Sequence, residues 1–159
     1  MKKIAKKVLL IGWDAADWKI INQLIDEGMM PTMEKFVNQG TIGNLATLEP
    51  PFSPMLWTTI ATGVLPDKHG ILGFTEPTPD RVGVRPVSST SRKVKAIWNI
   101  LNQKGYKSNV VGWWPSHPAE PINGLMVSNL YQRANKPISQ PWHVLDGTVH
   151  PKELTLHPE

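Results

Sequence analysis

Apolar runs of strand length alternate with amphipathic helical stretches in this chain, an order that predicts an α/β fold: a mostly parallel sheet flanked by helices. Two observations carry that expectation. Val8 to Trp13 is a continuous apolar run, the signature of a strand buried on both faces of a sheet. The helical stretches fall between the strand-like runs rather than after them. A length of 159 residues suits one ordinary domain with a real core, and the chain reads as a single domain over residues 1–159, without internal repeats.

Each element has its own signal. After the first strand, Asp17 can cap a helix over Trp18 to Glu27, with Trp18, Ile21, Leu24 and Ile25 on one face and Gly28 as the stop. Pro31 starts a second short helix in which Met33, Phe36 and Val37 face inward and Gly40 terminates. Thr41 to Leu48 alternates well enough for a second strand. Pro54 fits the first turn of a helix running to about Thr62, and Gly63 ends it. Val64 to Ser91 has Gly, Pro and Asp at close intervals and reads mostly as loop. Ser91 then caps a helix from Arg92 to Gln103, with Val94, Ile97, Trp98 and Leu101 inward and Gly105 as C-cap. Lys107 to Trp113 and Gly124 to Val127 are two further strands.

Composition excludes several functional classes. Hydrophobic residues make up 40% of the chain, as in a soluble globular protein. The 15 prolines are interleaved with apolar and aromatic residues, which reads as long ordered loops rather than linkers. The net charge of +4 owes much to Lys2, Lys3, Lys6 and Lys7, a solvated tail rather than a nucleic-acid surface. With no cysteine, disulfides, thiolate metal sites and cysteine nucleophiles are out. The apolar run that ends at Asp14 is too short for a signal peptide, and no run approaches a membrane span, so a cytoplasmic protein with neither membrane nor nucleic-acid partners is expected.

Two residues carry the chemistry. Asp14 lies just past the end of the first strand, where ligands bind in parallel α/β sheets, and a carboxylate there suits Zn²⁺, Mn²⁺ or Mg²⁺. Taken alone it reads equally well as a helix cap, with Asp17 as the competing cap. Ser53 precedes Pro54 and is expected at the N-cap of the helix through Trp57, a position serine favours in any protein. The same location also offers backbone N–H groups and a positive dipole end to a phosphate, and a metal-bound serine alkoxide there could attack phosphorus.

The two sites together weigh more than either alone. Gly12-Trp13-Asp14, followed by Pro50-Pro51-Phe52-Ser53-Pro54-Met55-Leu56-Trp57-Thr58-Thr59-Ile60-Ala61-Thr62-Gly63 and Pro66-Asp67-Lys68-His69-Gly70-Ile71, resembles the alkaline phosphatase superfamily. The branch it is most similar to is the type I phosphodiesterase / nucleotide pyrophosphatase group. The resemblance is specific from about Val8 to Phe74, and looser through Gly112-Trp113-Trp114-Pro115 and from Pro121 to Ser128. It implies an alkaline-phosphatase-like fold, Asp14 and Ser53 as metal ligands, Ser53 also as the catalytic nucleophile, and a small phosphorylated substrate. Two divalent ions are implied, most often zinc.

Two departures qualify what the resemblance implies. Nucleotide pyrophosphatases commonly carry a phosphate-holding asparagine shortly after their H-G-I, where this chain has Phe74, so nucleotide specificity is not implied. The family completes its metal site with two further aspartates and three histidines, and the D-H pair among them is missing here. Asp146 and His150 have D-x-x-x-H spacing, with His143 nearby, but Gly147 reads as a turn and the segment as solvated loop. His69 reads as a loop organiser; His117 and His157 carry no signal. Trp18, Trp57 and Trp98 are expected in the core, whereas Trp13 and Trp114 could line a pocket.

The expectation is therefore a catalytic domain incomplete at its C-terminus, whose late ligands lie beyond Glu159 or on another chain. Such a sheet would expose an apolar edge and self-associate. The competing expectation is a truncated, inactive relic or an anion-binding fragment in which Asp14 and Ser53 survive by descent.

Overall fold

The computed structural model describes residues 5–133 and 144–155. It is a mixed α/β structure of short helices and small sheets. The chain divides into two compact units, residues 1–46 and 47–159.

In the first unit, α1 spans Trp18–Asp26 and α2 spans Pro31–Gln39. Asp17 opens α1 from extended backbone, and its side chain accepts the Lys19 N–H at 2.8 Å, which satisfies one orphan donor of the first turn. Gly28, at φ +71°, ends the helix as expected. The face of Trp18, Ile21, Leu24 and Ile25 is the buried or half-buried one, and the Trp18 indole N–H donates to the Gly43 carbonyl at 3.2 Å. In α2 only Met33 and Val37 are half-buried, with the N-cap Met30 before them; Phe36, expected inward, is 66% exposed.

The second unit begins with α3, Ser53–Thr62, followed by the single turn α4, Pro66–His69. Thr58, Thr59 and Thr62 each return their hydroxyl to the carbonyl four residues back, at 2.7, 2.9 and 2.7 Å. That back-bonding lets three threonines sit in a buried helix without stranding a polar group. Gly63, at φ +70°, takes the left-handed C-cap.

The stretch expected as loop after Val64 contains an antiparallel hairpin, β1 (Thr75–Pro77) with β2 (Val84–Pro86). Asp80 accepts the Val82 N–H at 3.1 Å and Arg81 adopts φ +61°, so the Pro79-Asp80 turn chemistry closes it. The next helix, α5, starts at Ile97 and runs to Gln103, five residues later than the Arg92 start expected. Ser91 is engaged otherwise: it ends a 3₁₀ turn over Ser89–Ser91, and its hydroxyl accepts from the Ser88 N–H at 3.0 Å and donates to Glu76 at 2.8 Å. Asn99, within α5, accepts the Ala96 N–H at 2.9 Å and so closes the helix start. Trp98 points into the core at 3% exposure, while Ile97, expected beside it, is 49% exposed.

Two predicted strands shrink to two residues each, β3 (Val110–Val111) and β4 (Met126–Val127), paired in parallel; β5 (Val149–His150) joins β4 antiparallel. Around them lies the main core of Ala61, Ala96, Trp98, Val110, Ile122 and Met126, with Trp113 and Ala119 packed against it. The strands expected at Val8–Trp13 and Thr41–Leu48 form no ladder among the described residues. Val8, Leu9 and Ile11 are 86, 83 and 73% exposed. An apolar run becomes a strand only when a neighbour takes up its N–H and C=O groups, and no described segment does so here.

Candidate functional site

Phe52 has extended backbone (φ −80°, ψ 118°) and its carbonyl accepts the first helical bond of α3, from the Leu56 N–H at 3.0 Å. Ser53 is therefore the first residue inside the helix rather than its N-cap, a one-residue correction to the position expected for it. It is half-buried. The next residues are Pro54 and Met55, both buried, so the helix start is anchored from below by its own apolar side chains.

The middle of α3 is held by His69. That ring is fully buried, with Nε2 3.0 Å from the Thr59 hydroxyl and Nδ1 accepting the Ile71 N–H at 3.1 Å. Burial pushes its pKa below the ordinary histidine range, assisted by Arg92 and opposed by Asp67. A histidine expected to organise its loop does so through both ring nitrogens.

Three rings stand in line beside the start of α3. Phe52 meets Phe74 edge to face at 5.6 Å, and Phe74 meets Trp114 at 5.3 Å. Phe52 and Phe74 remain 40 and 47% exposed. Gly73 makes the approach feasible, since a Cβ there would lie 3.4 Å from the Phe52 ring. Behind them Trp113 packs edge to face on Trp57 at 5.2 Å and donates its indole N–H to the Trp57 carbonyl at 3.0 Å. Phe52 and Thr59 carried no functional signal in the sequence; adjacency to Ser53 and to the T-T pair is the one clue that could have pointed to them.

The same unit holds a buried ion pair. Arg92 donates to both carboxylate oxygens of Glu120 at 2.8 and 2.9 Å, and to Val94 and Asn99. Asn99 donates in turn to Glu120 at 2.7 Å, and the guanidinium stacks over Trp98 at 5.3 Å. The charged and amide groups of Arg92, Asn99 and Glu120 all have partners, which makes the network tolerable in a low dielectric.

Asp14 belongs to the first unit. It sits in an exposed turn before α1, and Ala15 next to it holds a left-handed φ of +57°. Asp17, not Asp14, caps α1, so the capping role weighed for Asp14 goes to its neighbour. Trp13 is 56% exposed.

His143 and His157 lie outside the described residues. Asp146 occupies an exposed turn, and His150 lies in β5 opposite Met126. Among the described residues no three His, Cys, Asp or Glu side chains gather into a group that could hold a metal ion. Asp14 and Ser53 offer one carboxylate and one hydroxyl, against about four ligands for each zinc and about six for magnesium. By themselves the residues present do not fit a two-metal centre. Among the described residues no helix is long and apolar enough to cross a membrane.

The family model for type I phosphodiesterase / nucleotide pyrophosphatase matches residues 8–155, and the chain belongs to that family. Its setting is the alkaline phosphatase superfamily, and its members are generally metal-dependent. No curated protein and no solved structure matches the chain.

Proposed function

We propose that this chain is the nucleophile-bearing part of a metal-dependent phosphoester hydrolase. Ser53 Oγ gives up its proton to solvent and attacks phosphorus, and the ester oxygen leaves with the electron pair of the broken P–O bond and takes up a proton. Water then attacks the phosphoseryl intermediate, taking the phosphoryl group as phosphate and returning Ser53 to its hydroxyl. The position of Ser53 in the first turn of α3 is the observation that carries this reading. Donor groups and the positive end of the helix dipole favour the anionic substrate there, and the buried Pro54, Met55, Thr58 and Ala61 hold that turn in place.

Asp14 is proposed as one metal ligand and Ser53 as another, with two zinc ions, or manganese or magnesium, completed by carboxylates and histidines beyond Glu159 or on another chain. The left-handed Ala15 beside Asp14 is the kind of local strain that collects at functional turns. The wall of Phe52, Phe74 and Trp114 suits a small phosphorylated substrate that carries an apolar or aromatic group. A cytoplasmic setting goes with this reading.

A longer protein carrying the missing ligands tests it. There, Ser53→Ala lowers kcat/KM for a chromogenic phosphodiester by about 10³-fold or more, and the phosphoseryl species trapped at low pH disappears from the intact-mass spectrum. Unchanged turnover in Ser53→Ala would sink the assignment.

The second reading is an inactive relic, favoured by the lack of a three-ligand metal group among the described residues. Zinc-dependent turnover by this chain, abolished in Ser53→Ala, would exclude it.

A further inference from the structure

We propose that His69 is a positioning residue for α3: its neutral ring ties the middle of that helix to the turn at Ile71, and uptake of a proton releases the tie. The link from this tie to chemistry rests on the role proposed for Ser53; the tie itself does not.

The hydrogen bonds run in one direction only. The backbone N–H of Ile71 can only donate, so Nδ1, 3.1 Å away, must present its lone pair. The ring hydrogen then sits on Nε2 and is donated to Thr59 Oγ1 at 3.0 Å, and the Thr59 hydroxyl passes its own hydrogen to the Met55 carbonyl at 2.9 Å. Met55 is buried in the first turns of α3, and Ser53 is six residues before Thr59, less than two helical turns away. The chain of bonds thus joins Ile71, His69 and the helix that carries Ser53.

The backbone leaves the ring little freedom to look elsewhere. The His69 N–H is bonded to Leu65, and its carbonyl accepts the Lys93 N–H at 3.0 Å. His69 and Ile71 are both 0% exposed. A proton on Nδ1 would set two N–H donors head to head, with burial denying water the chance to come between them.

The charged groups around the ring disagree among themselves. On α4, Asp67 favours the proton, but it is exposed and paired with Lys68 at 3.0 Å. From the segment before α5, Arg92 disfavours the proton, and the Lys93 stem covers Gly70. α3 carries no charged residue, and its contact with the ring is the hydrogen bond of the uncharged Thr59. Burial outweighs each of these and keeps the ring neutral.

Histidine ¹⁵N spectra of the full chain, with amide exchange, test the proposal. At about pH 8, His69 should show a lone pair on Nδ1 and a hydrogen on Nε2. Protonation should occur below the ordinary histidine midpoint, and the Ile71 protection factor should fall tenfold or more across that titration while Val110 in β3 keeps its own. His69→Asn retains an acceptor near the Nδ1 position without a titrating group, so Ile71 protection should then be flat with pH. An imidazolium or an Nδ1–H ring at about pH 8 would overturn the proposal. So would Ile71 protection that is equal on both sides of the wild-type titration, or that still varies with pH in His69→Asn. Should that variant fail to fold, the wild-type titration decides alone. These readouts need no catalytic activity, so a failed tie and a failed hydrolase assignment are told apart.

Discussion

At the residue scale, the tightest constraints are set by backbone and buried charge. Gly124 holds φ +146°, and a Cβ there would lie 2.0 Å from the Ser108 carbonyl oxygen, a backbone atom that cannot swing aside. Gly124→Ala must therefore push β3 and β4 apart, where the Ser108 N–H bonds to Asn123 at 3.0 Å. A loss of about 3 kcal/mol or more in urea unfolding is expected. A change below about 0.5 kcal/mol would show that the close approach is not maintained in solution.

The buried ion pair makes a second prediction at this scale. The Arg92 side chain is 7% exposed and its partner Glu120 18% exposed. Removing the carboxylate in Glu120→Ala leaves a guanidinium buried with fewer partners, which should cost about 3 kcal/mol. Glu120→Gln keeps the shape and some of the hydrogen bonding, so it should cost distinctly less in the same unfolding series. Equal losses would mean that packing volume, and not charge, is what Glu120 contributes.

At the element scale, the acid-sensitive points are His69, where α4 meets α3, and His117, beside Ser128. Burial lowers the pKa of both His69 and His117. A histidine with a depressed folded pKa binds fewer protons when folded than when unfolded. Stability is then full above about pH 6.5 and lost as the pH falls toward the folded values. Melting temperatures measured between about pH 8 and pH 5 should fall on the acid side, with a shallower fall in His69→Asn. A Tm that rises on acidification would contradict the burial of both rings.

Legibility also varied by element. The signals at Asp17, Gly28, Pro31 and Gly63 placed α1, α2 and α3 almost to the residue, because caps and left-handed stops are local chemistry. The start of α5 was misplaced because Ser91 spends its hydroxyl on Ser88 and Glu76, a choice made by a residue 15 positions away. Ser53 was placed within one residue, since Pro54 marks the first turn whichever neighbour becomes the cap.

At the scale of the whole molecule, the edge of the three-stranded sheet makes a prediction. In the three-stranded sheet β3 lies at one edge, and Val111 on it is 68% exposed. Edges of this kind recruit partners, and self-association through them is the expected behaviour. Sedimentation velocity should show a weight-average mass that grows with concentration, and Val111→Lys should reduce that growth by placing a charge on the edge. A single monomeric species in both proteins would remove the sheet edge as an assembly surface.

What the sequence by itself determined is whatever depends on neighbours along the chain: the α/β class, the ends of α1, α2 and α3, the Gly-x-Asp turn, and a serine at the head of a helix in a phosphoesterase pattern. Tertiary structure alone decided which apolar runs became strands. Val8 to Trp13 is as apolar as any strand, yet it remains exposed, while the less conspicuous Met126 is fully buried between β3 and β5. The reason is physical: a helix satisfies its own backbone groups, whereas a strand borrows its hydrogen bonds from a partner whose position no local pattern encodes. The same holds for His69, whose role rests on Thr59 and Ile71 arriving on opposite sides of one ring.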